Sequence, residues 1–329
     1  MRHIRMLGLA VVAALAACAV AATGASALKN PTKSPKILVN CPVNSPQFKY
    51  ADEHESSGDC IFGATESGEG GQFTVSGITV PLAKQIILQY GLAFGTPQEE
   101  KEKEEKGESS TQIEHFVPPA NGAEAITPTP EKVPGEPIGH ISEAEQNELG
   151  WPEGMKYSYK SAQKHGLVKT VYETIEGAGP DVTSVQNILE REGVGVEAPV
   201  MIKVENKWLS ALGDVCTIGS EEDPIVQKLT SGQSTSPKTG ETIEGTTGEA
   251  AFVSKHGELQ EVYLTHSDLV DNTYAVPAAT CTGKYAAAVT ATINKVFGLP
   301  AEAGASVTEL KGTLYTASSA FGELGGAGM

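Results

Sequence analysis

The sequence predicts a mainly β protein, an antiparallel β-sandwich or barrel-like sheet that carries two or three short accessory helices. Three observations predict it. Short apolar runs recur along the 329 residues, punctuated by 36 glycines and 19 prolines. Pro199 to Glu205 alternates strictly, with Val200, Ile202 and Val204 on one side and Met201, Lys203 and Glu205 on the other. Segments with a helical period are too sparse for a doubly wound fold of alternating strands and helices.

The elements follow in order. Residues 28–96 form an N-terminal β region. In it Gln72–Val75 and Ile78–Leu82 pair across Ser76-Gly77 as a hairpin, and Gln85–Tyr90 is a third strand whose apolar run predicts burial on both faces. Gly68-Glu69-Gly70-Gly71 precedes a strand instead of opening a helix, so it reads as a turn. Residues 97–140 are a charged and Pro-rich insertion, read as partly disordered. Gln98 to Thr111 contains no apolar residue, cannot bury a face, and reads as a mobile loop.

Residues 141–318 are the main β region, with two helices. Ser142-Glu143-Ala144-Glu145 is a capping box that opens a short helix ending at Gly150. Thr183 or Ser184 caps another, with Val185, Ile188 and Leu189 on one face and Gly193 as its stop. Tyr285, Val289, Ile293 and Val296 form a further helical stripe, closed by Gly298 and Pro300. Strands are predicted at Val168–Ile175, Pro224–Leu229, Ala251–Ser254, Leu259–Leu264, Thr273–Val276 and Val307–Tyr315. Residues 319–329 are a flexible Gly-rich tail. A division into two domains near 140–155 stays open, because the chain exceeds the usual size of one sandwich.

Residues 1–27 read as a bacterial secretion signal. Arg2 and Arg5 supply a basic start, Met6 to Ala22 an uninterrupted run of apolar and small residues, and Ala25-Ser26-Ala27 a cleavage site. That run is marginal for a hydrocarbon core of ~30 Å, and no basic stop-transfer cluster follows it, so no transmembrane span is expected in the mature chain. Leu15-Ala16-Ala17-Cys18 also fits a lipobox, with Cys18 as the lipidated residue, although apolar residues continue past it. Losing the signal removes two basic residues and no acidic one, which takes the net charge from −17 to −19. Such a surface repels phosphate backbones and argues against nucleic acid as a partner.

Four cysteines remain: Cys41, Cys60, Cys216 and Cys281. An even number in an exported chain implies disulfides, and four allow three connectivities. Proximity favours Cys41–Cys60 with Cys216–Cys281. The spacings fit no zinc-ribbon pattern.

Several segments carry a resemblance. They are Phe73 to Leu82 with Gln89-Tyr90-Gly91-Leu92, then Cys216 to Ser220 with Asp223 to Val226, then Leu269 to Pro277, and Phe297 to Ala301. Together they resemble a group of uncharacterised secreted proteins of actinobacteria. The resemblance spans much of residues 37–316 and implies export and a shared fold, with no activity attached.

Chemistry is sparse. There is no G-x-S-x-G elbow, H-E-x-x-H, Walker loop or C-x-x-C. Asp52, Glu53, His54, Glu55 and Asp59 form the densest cluster of hard ligands, and calcium is the one ion they suggest; no other cofactor is implied. Asp214, Glu221, Glu222 and Asp223 flank Cys216 and hold the paired carboxylates that glycoside hydrolysis uses, or they serve as turn and cap residues. His266 with Asp268 and Asp271, near Ser267, has the residue types of a hydrolytic triad, although neighbours on one loop seldom converge in that geometry. Trp151 and Trp208 suit either a carbohydrate platform or the core.

The expectation from sequence is a secreted or envelope-associated protein, a non-catalytic structural or binding module. A secreted hydrolase, carboxylate- or His-dependent, is one alternative. A lipid-anchored extracellular ligand-binding protein is the other.

Overall fold

The computed structural model describes residues 39–53, 58–94, 114–179, 182–255 and 258–319. Among them the chain forms β1 (Gly58–Thr65), β2 (Gly71–Val75), β3 (Ile78–Pro81), β4 (Ile87–Phe94), β5 (Glu114–Val117) and β6 (Thr129–Val133). It continues with β7 (Val171–Gly177), β8 (Val182–Thr183), β9 (Val196–Asn206), β10 (Val215–Ile218), β11 (Ile225–Leu229), β12 (Gln233–Thr235) and β13 (Thr242–Glu244). Last come β14 (Glu249–Lys255), β15 (Glu258–Asp271), β16 (Ala279–Thr282) and β17 (Val307–Ser319). The helices are α1 (Pro46–Glu53), α2 (Glu143–Glu148), α3 (Glu153–Lys164), α4 (Val185–Glu190), α5 (Lys207–Leu212) and α6 (Ala286–Phe297).

Two antiparallel sheets hold almost all of the strands, as the alternation predicted. The first has eight strands in the order β14-β15-β17-β1-β4-β5, with β2 on the free half of β17 and β3 on β2. The second has seven in the order β16-β10-β9-β7-β6, with β8 and β11 on the first half of β9. β12 and β13 make a separate ribbon. β17 and β9 are the spines. Each is long enough to pair with different strands along its two halves, so each sheet is held in register by one continuous element. Strands from residues 58–94 and from 249–319 share the first sheet.

The inner faces meet in one contiguous apolar core. Ile61, Phe73, Tyr90 and Leu314 of the first sheet face Val196, Ile202 and Ile225 of the second, with Met155 and Tyr159 of α3 and Ile293 and Phe297 of α6 packed in. Every odd inward step of β9 is buried from Val196 to Asn206, which is the period-2 signal realised over its whole length. Tyr90 and Thr183 join their hydroxyls at 2.5 Å and fasten β4 to the opposite sheet.

A smaller cluster lies on the outer side of β1 and β4, where Phe48 of α1 meets Cys60, Ala93 and Val117. Gly91 makes this possible by having no side chain: a β-carbon there would lie 2.6 Å from both Phe48 and Pro42. Cys41 bonds to Cys60 across the same cluster, with Cα atoms 5.6 Å apart. Cys216 bonds to Cys281 as a directly opposed pair of β10 and β16, with Cα atoms 4.1 Å apart. Both pairings are those that proximity favoured.

Several elements depart from expectation. Six helices are present among the described residues instead of two or three, because α1 and α3 have weak local signals and α5, capped by Asn206 and stopped by Gly213, follows β9 without a break. In α3 only Met155, Tyr159 and Ala162 are buried, at helical spacing, on an otherwise polar segment with Gly154 in its first turn. Thr273–Val276 is not a strand. The Asp271 carboxylate accepts from the Thr273 amide and hydroxyl, both at 2.8 Å, and curls the chain, so that only Val276 makes a β-bridge, an isolated one to Ala301. In β4, Ile87, Leu88 and Gln89 are half-buried, and burial on both faces begins at Tyr90. Residues 95–113, which include the charged stretch, and the tail from 320 lie outside the described residues. No described helix is long and apolar enough to cross a membrane.

Candidate functional site

The inner faces of the two sheets do not fill the space between them completely. Ile175, Ala198, Val200 and Leu229 from one side and Ile86, Leu88, Leu310 and Leu314 from the other wall a cavity of about 110 Å³. Its origin is local composition. Gly63 and Gly312 sit on adjacent strands of the cavity wall, and Ala198 on the opposite sheet. Three small residues in one layer leave volume that their neighbours cannot reach in ordinary rotamers. Gly312 cannot be larger, since a β-carbon would lie 2.2 Å from the Ala64 carbonyl oxygen.

A few polar groups reach this wall. Thr65 Oγ1 accepts from the Ile86 amide at 2.8 Å, and the Ser267 hydroxyl donates to the Thr247 carbonyl at 2.6 Å. Gln227 Nε2 donates to Thr308 Oγ1 at 3.1 Å, and Thr308 Oγ1 shares a second bond of 2.9 Å with the Tyr274 hydroxyl. Tyr274 lies behind the wall, stacked on Phe73 with ring centroids 6.1 Å apart, and burial pushes its phenol above the ordinary range.

Beside this region lies a pair of buried carboxyl groups. Glu131 and Glu173 are directly opposed on β6 and β7 and are 4% and 2% exposed, so they share the inward face. Glu131 Oε1 accepts from the Lys84 amide at 2.7 Å. Glu173 Oε1 has no partner among the described residues, and burial raises its carboxyl to about 7. Two acids in unlike environments are the raw material of acid–base catalysis. Their burial closes them to a substrate, and neither lines the cavity.

The residues singled out in the sequence do not converge. Asp214 is buried before β10, where its carboxylate accepts from the Tyr285 amide at 3.3 Å and burial raises its pKa. Glu221, Glu222 and Asp223 are exposed on the turn at the other end of that strand, so the acidic cluster is two separate sets. Ser220 Oγ accepts from the Asp223 amide at 3.1 Å, a turn role.

The triad residues likewise part. His266 sits at φ +55 on the bulge of β15, and its Nδ1 lies 3.0 Å from Glu66. Ser267 faces the opposite way, bonded to Thr247. Asp268 is cross-strand from Lys311; burial raises its pKa, opposed by the Lys311 charge. Asp271 is fully buried as a backbone clamp, accepting from the Lys228 amide at 2.6 Å. Burial raises its pKa against the bonds from Lys228 and Thr273. The His266 ring is bonded to Glu66 and the Ser267 hydroxyl to Thr247, and without a bond between them the hydroxyl cannot be activated by that histidine.

Trp151 and Trp208 are core residues, 4% and 1% exposed, in a cluster with Tyr159 whose centroids lie 5.0 to 5.5 Å apart. Their indole N–H groups are satisfied by Thr292 and Ser158, so they form no carbohydrate platform. Of the proposed calcium ligands, Asp52 and Glu53 end α1 and Asp59 lies on β1, while His54 and Glu55 lie outside the described residues, as does Cys18. Among the described residues no three His, Cys, Asp or Glu side chains gather as a metal site.

The residues that do gather were legible only in part. Glu173 stands in phase with the inward Val171, and Gln227 with the inward Ile225 and Leu229. A polar residue at an inward step of an alternating strand is the signal that marks both. Compared with protein-family models, curated proteins and solved structures, the chain finds no match.

Proposed function

We propose that the chain is an exported, non-catalytic binding module that holds a small apolar molecule between its two sheets. The observation that carries this reading is the cavity of about 110 Å³, walled by aliphatic side chains of both sheets. An apolar cavity of ~150 Å³ is known to take benzene or xenon, so this one suits a ligand of about five or six heavy atoms. Two disulfides support an oxidising compartment, in keeping with the leader at residues 1–27 and the likeness to secreted actinobacterial proteins. His266 and Ser267 bond to different partners, as do Asp214 and Asp223, which favours the binding reading over hydrolysis at these two clusters.

The test is titration with cyclopentane, followed by NMR and by thermal unfolding. Saturable binding that shifts inner-face methyl signals and raises Tm is expected. Gly63→Ala should weaken it, because the added methyl would pack 3.5 Å from Leu314 and Leu88 and take part of the volume. Shifts that fail to saturate, or that appear on the outer faces only, would remove the reading.

A further inference from the structure

The hydroxyl of Thr308 gives the cavity a chemical preference. Thr308 is 1% exposed and lines the cavity, and Tyr274 does not line it. A hydroxyl has one proton and two acceptor lone pairs. Thr308 Oγ1 takes an N–H from Gln227 at 3.1 Å and makes one bond of 2.9 Å with the Tyr274 hydroxyl. Two hydroxyl protons therefore serve one O–H···O bond, and one proton is left over. No further acceptor is bonded to either group among the described residues.

Two arrangements are possible, and they differ in whether the spare proton lies where a molecule in the cavity can reach it. If Thr308 donated to Tyr274, the spare proton would be the phenol's, behind the wall and away from the cavity. If Tyr274 donates to Thr308, both lone pairs of Thr308 are used and its own proton points to the cavity that it lines. The second arrangement puts the Thr308 donor on a wall that is mostly aliphatic and that also carries Thr65, Gln227 and Ser267. A bound molecule with one accepting oxygen satisfies it. A hydrocarbon leaves it unmet.

We infer that the cavity selects a small molecule with an aliphatic body and one hydrogen-bond-accepting oxygen, a ketone, ester or lactone, held by Thr308. This inference rests on the cavity-binding reading above and adds the ligand's chemical class. Gln227 and Tyr274 act as positioning residues, since each holds Thr308 and neither is asked to touch the ligand.

The experiment compares cyclopentanone with cyclopentane, near-equal in shape, by NMR titration of the full chain and of two variants. The wild type should favour the ketone roughly 3- to 10-fold after correction for the two compounds' different transfer from water, the worth of one net hydrogen bond. Thr308→Val, which keeps the shape and removes the hydroxyl, should lose that preference and keep cyclopentane binding. Thr308→Ser should retain the preference, and it serves if the valine variant does not fold. Equal corrected affinity in the wild type, or a preference that survives in Thr308→Val, overturns the inference and leaves the cavity reading standing. Failure of both compounds to bind overturns the two together.

Discussion

Glu173 shows how one inward polar residue sets a pH dependence. Its carboxyl is held at about 7 in the fold by burial, against an ordinary value of 4.5. A raised acid binds more protons folded than unfolded between those two values, so its contribution is complete below 4.5 and is lost as pH rises to 7. At about 1.4 kcal/mol per pH unit, the loss is about 3 kcal/mol. Glu173→Gln, which cannot ionise, should flatten the slope of unfolding free energy between pH 4.5 and 7 and be more stable than wild type at pH 8. Urea titrations at pH 4.5, 6 and 8 measure both. Parallel slopes in the two proteins would show that Glu173 ionises freely in the fold.

The elements are joined by side chains that act as their caps. Asn206 ends β9 and opens α5, where its Oδ1 accepts from the amides of Trp208 and Leu209. Its Nδ2 donates to the carbonyls of Leu167 and Thr170, at 3.1 and 2.7 Å, which holds the turn between α3 and β7. With 3% of its surface exposed, water cannot replace these bonds. Asn206→Ala should therefore cost about 3 kcal/mol, more than a typical surface cap. Asn206→Asp, which keeps the α5 cap and loses both donors, should separate the two halves of the effect. A loss below ~1 kcal/mol for the alanine variant would mean that the turn and α5 are held elsewhere.

At this scale the sequence was legible where the signal is local. The capping box at Ser142 and Glu145 forms as its spacing requires, and Ser184 caps α4 through the Asn187 amide. The alternation of β9 and the stripe of Val289 and Ile293 in α6 are realised as well. The Thr273–Val276 strand failed because the buried Asp271 carboxylate binds the Thr273 amide, which a β-propensity does not foresee. α3 was not foreseen because packing of Tyr159 against the two tryptophans, not propensity, defines it, whereas α5 carried a local signal in its Asn206 cap and Gly213 stop.

For the whole molecule, charge and burial act in one direction. The chain carries −17, and Glu173, Asp214, Asp268 and Asp271 are all raised by burial. Each raised acid stabilises below its unfolded pKa and loses that contribution as pH rises, and self-repulsion grows over the same range. Tm should therefore be higher at pH 5 than at pH 8. Added salt at pH 8 should recover the part due to surface repulsion and leave the part due to buried acids, which salt screens poorly. A Tm that is level or rises from pH 5 to pH 8 would contradict this.

The sequence by itself determined the β class, nine of the seventeen described strands and three helix starts, and it favoured both disulfide pairings. Each of these depends on period, cap chemistry or short separation along the chain, and so is written in adjacent residues. Only the tertiary structure decided which polar residues meet. Gln227 and Thr308 are 81 residues apart in the chain and belong to opposite sheets. Gly63 and Gly312 become neighbours only when β1 pairs with β17. A cavity is the volume that distant side chains fail to fill together, and a buried donor is one that no other group reaches. Neither quantity exists until the two sheets close on each other.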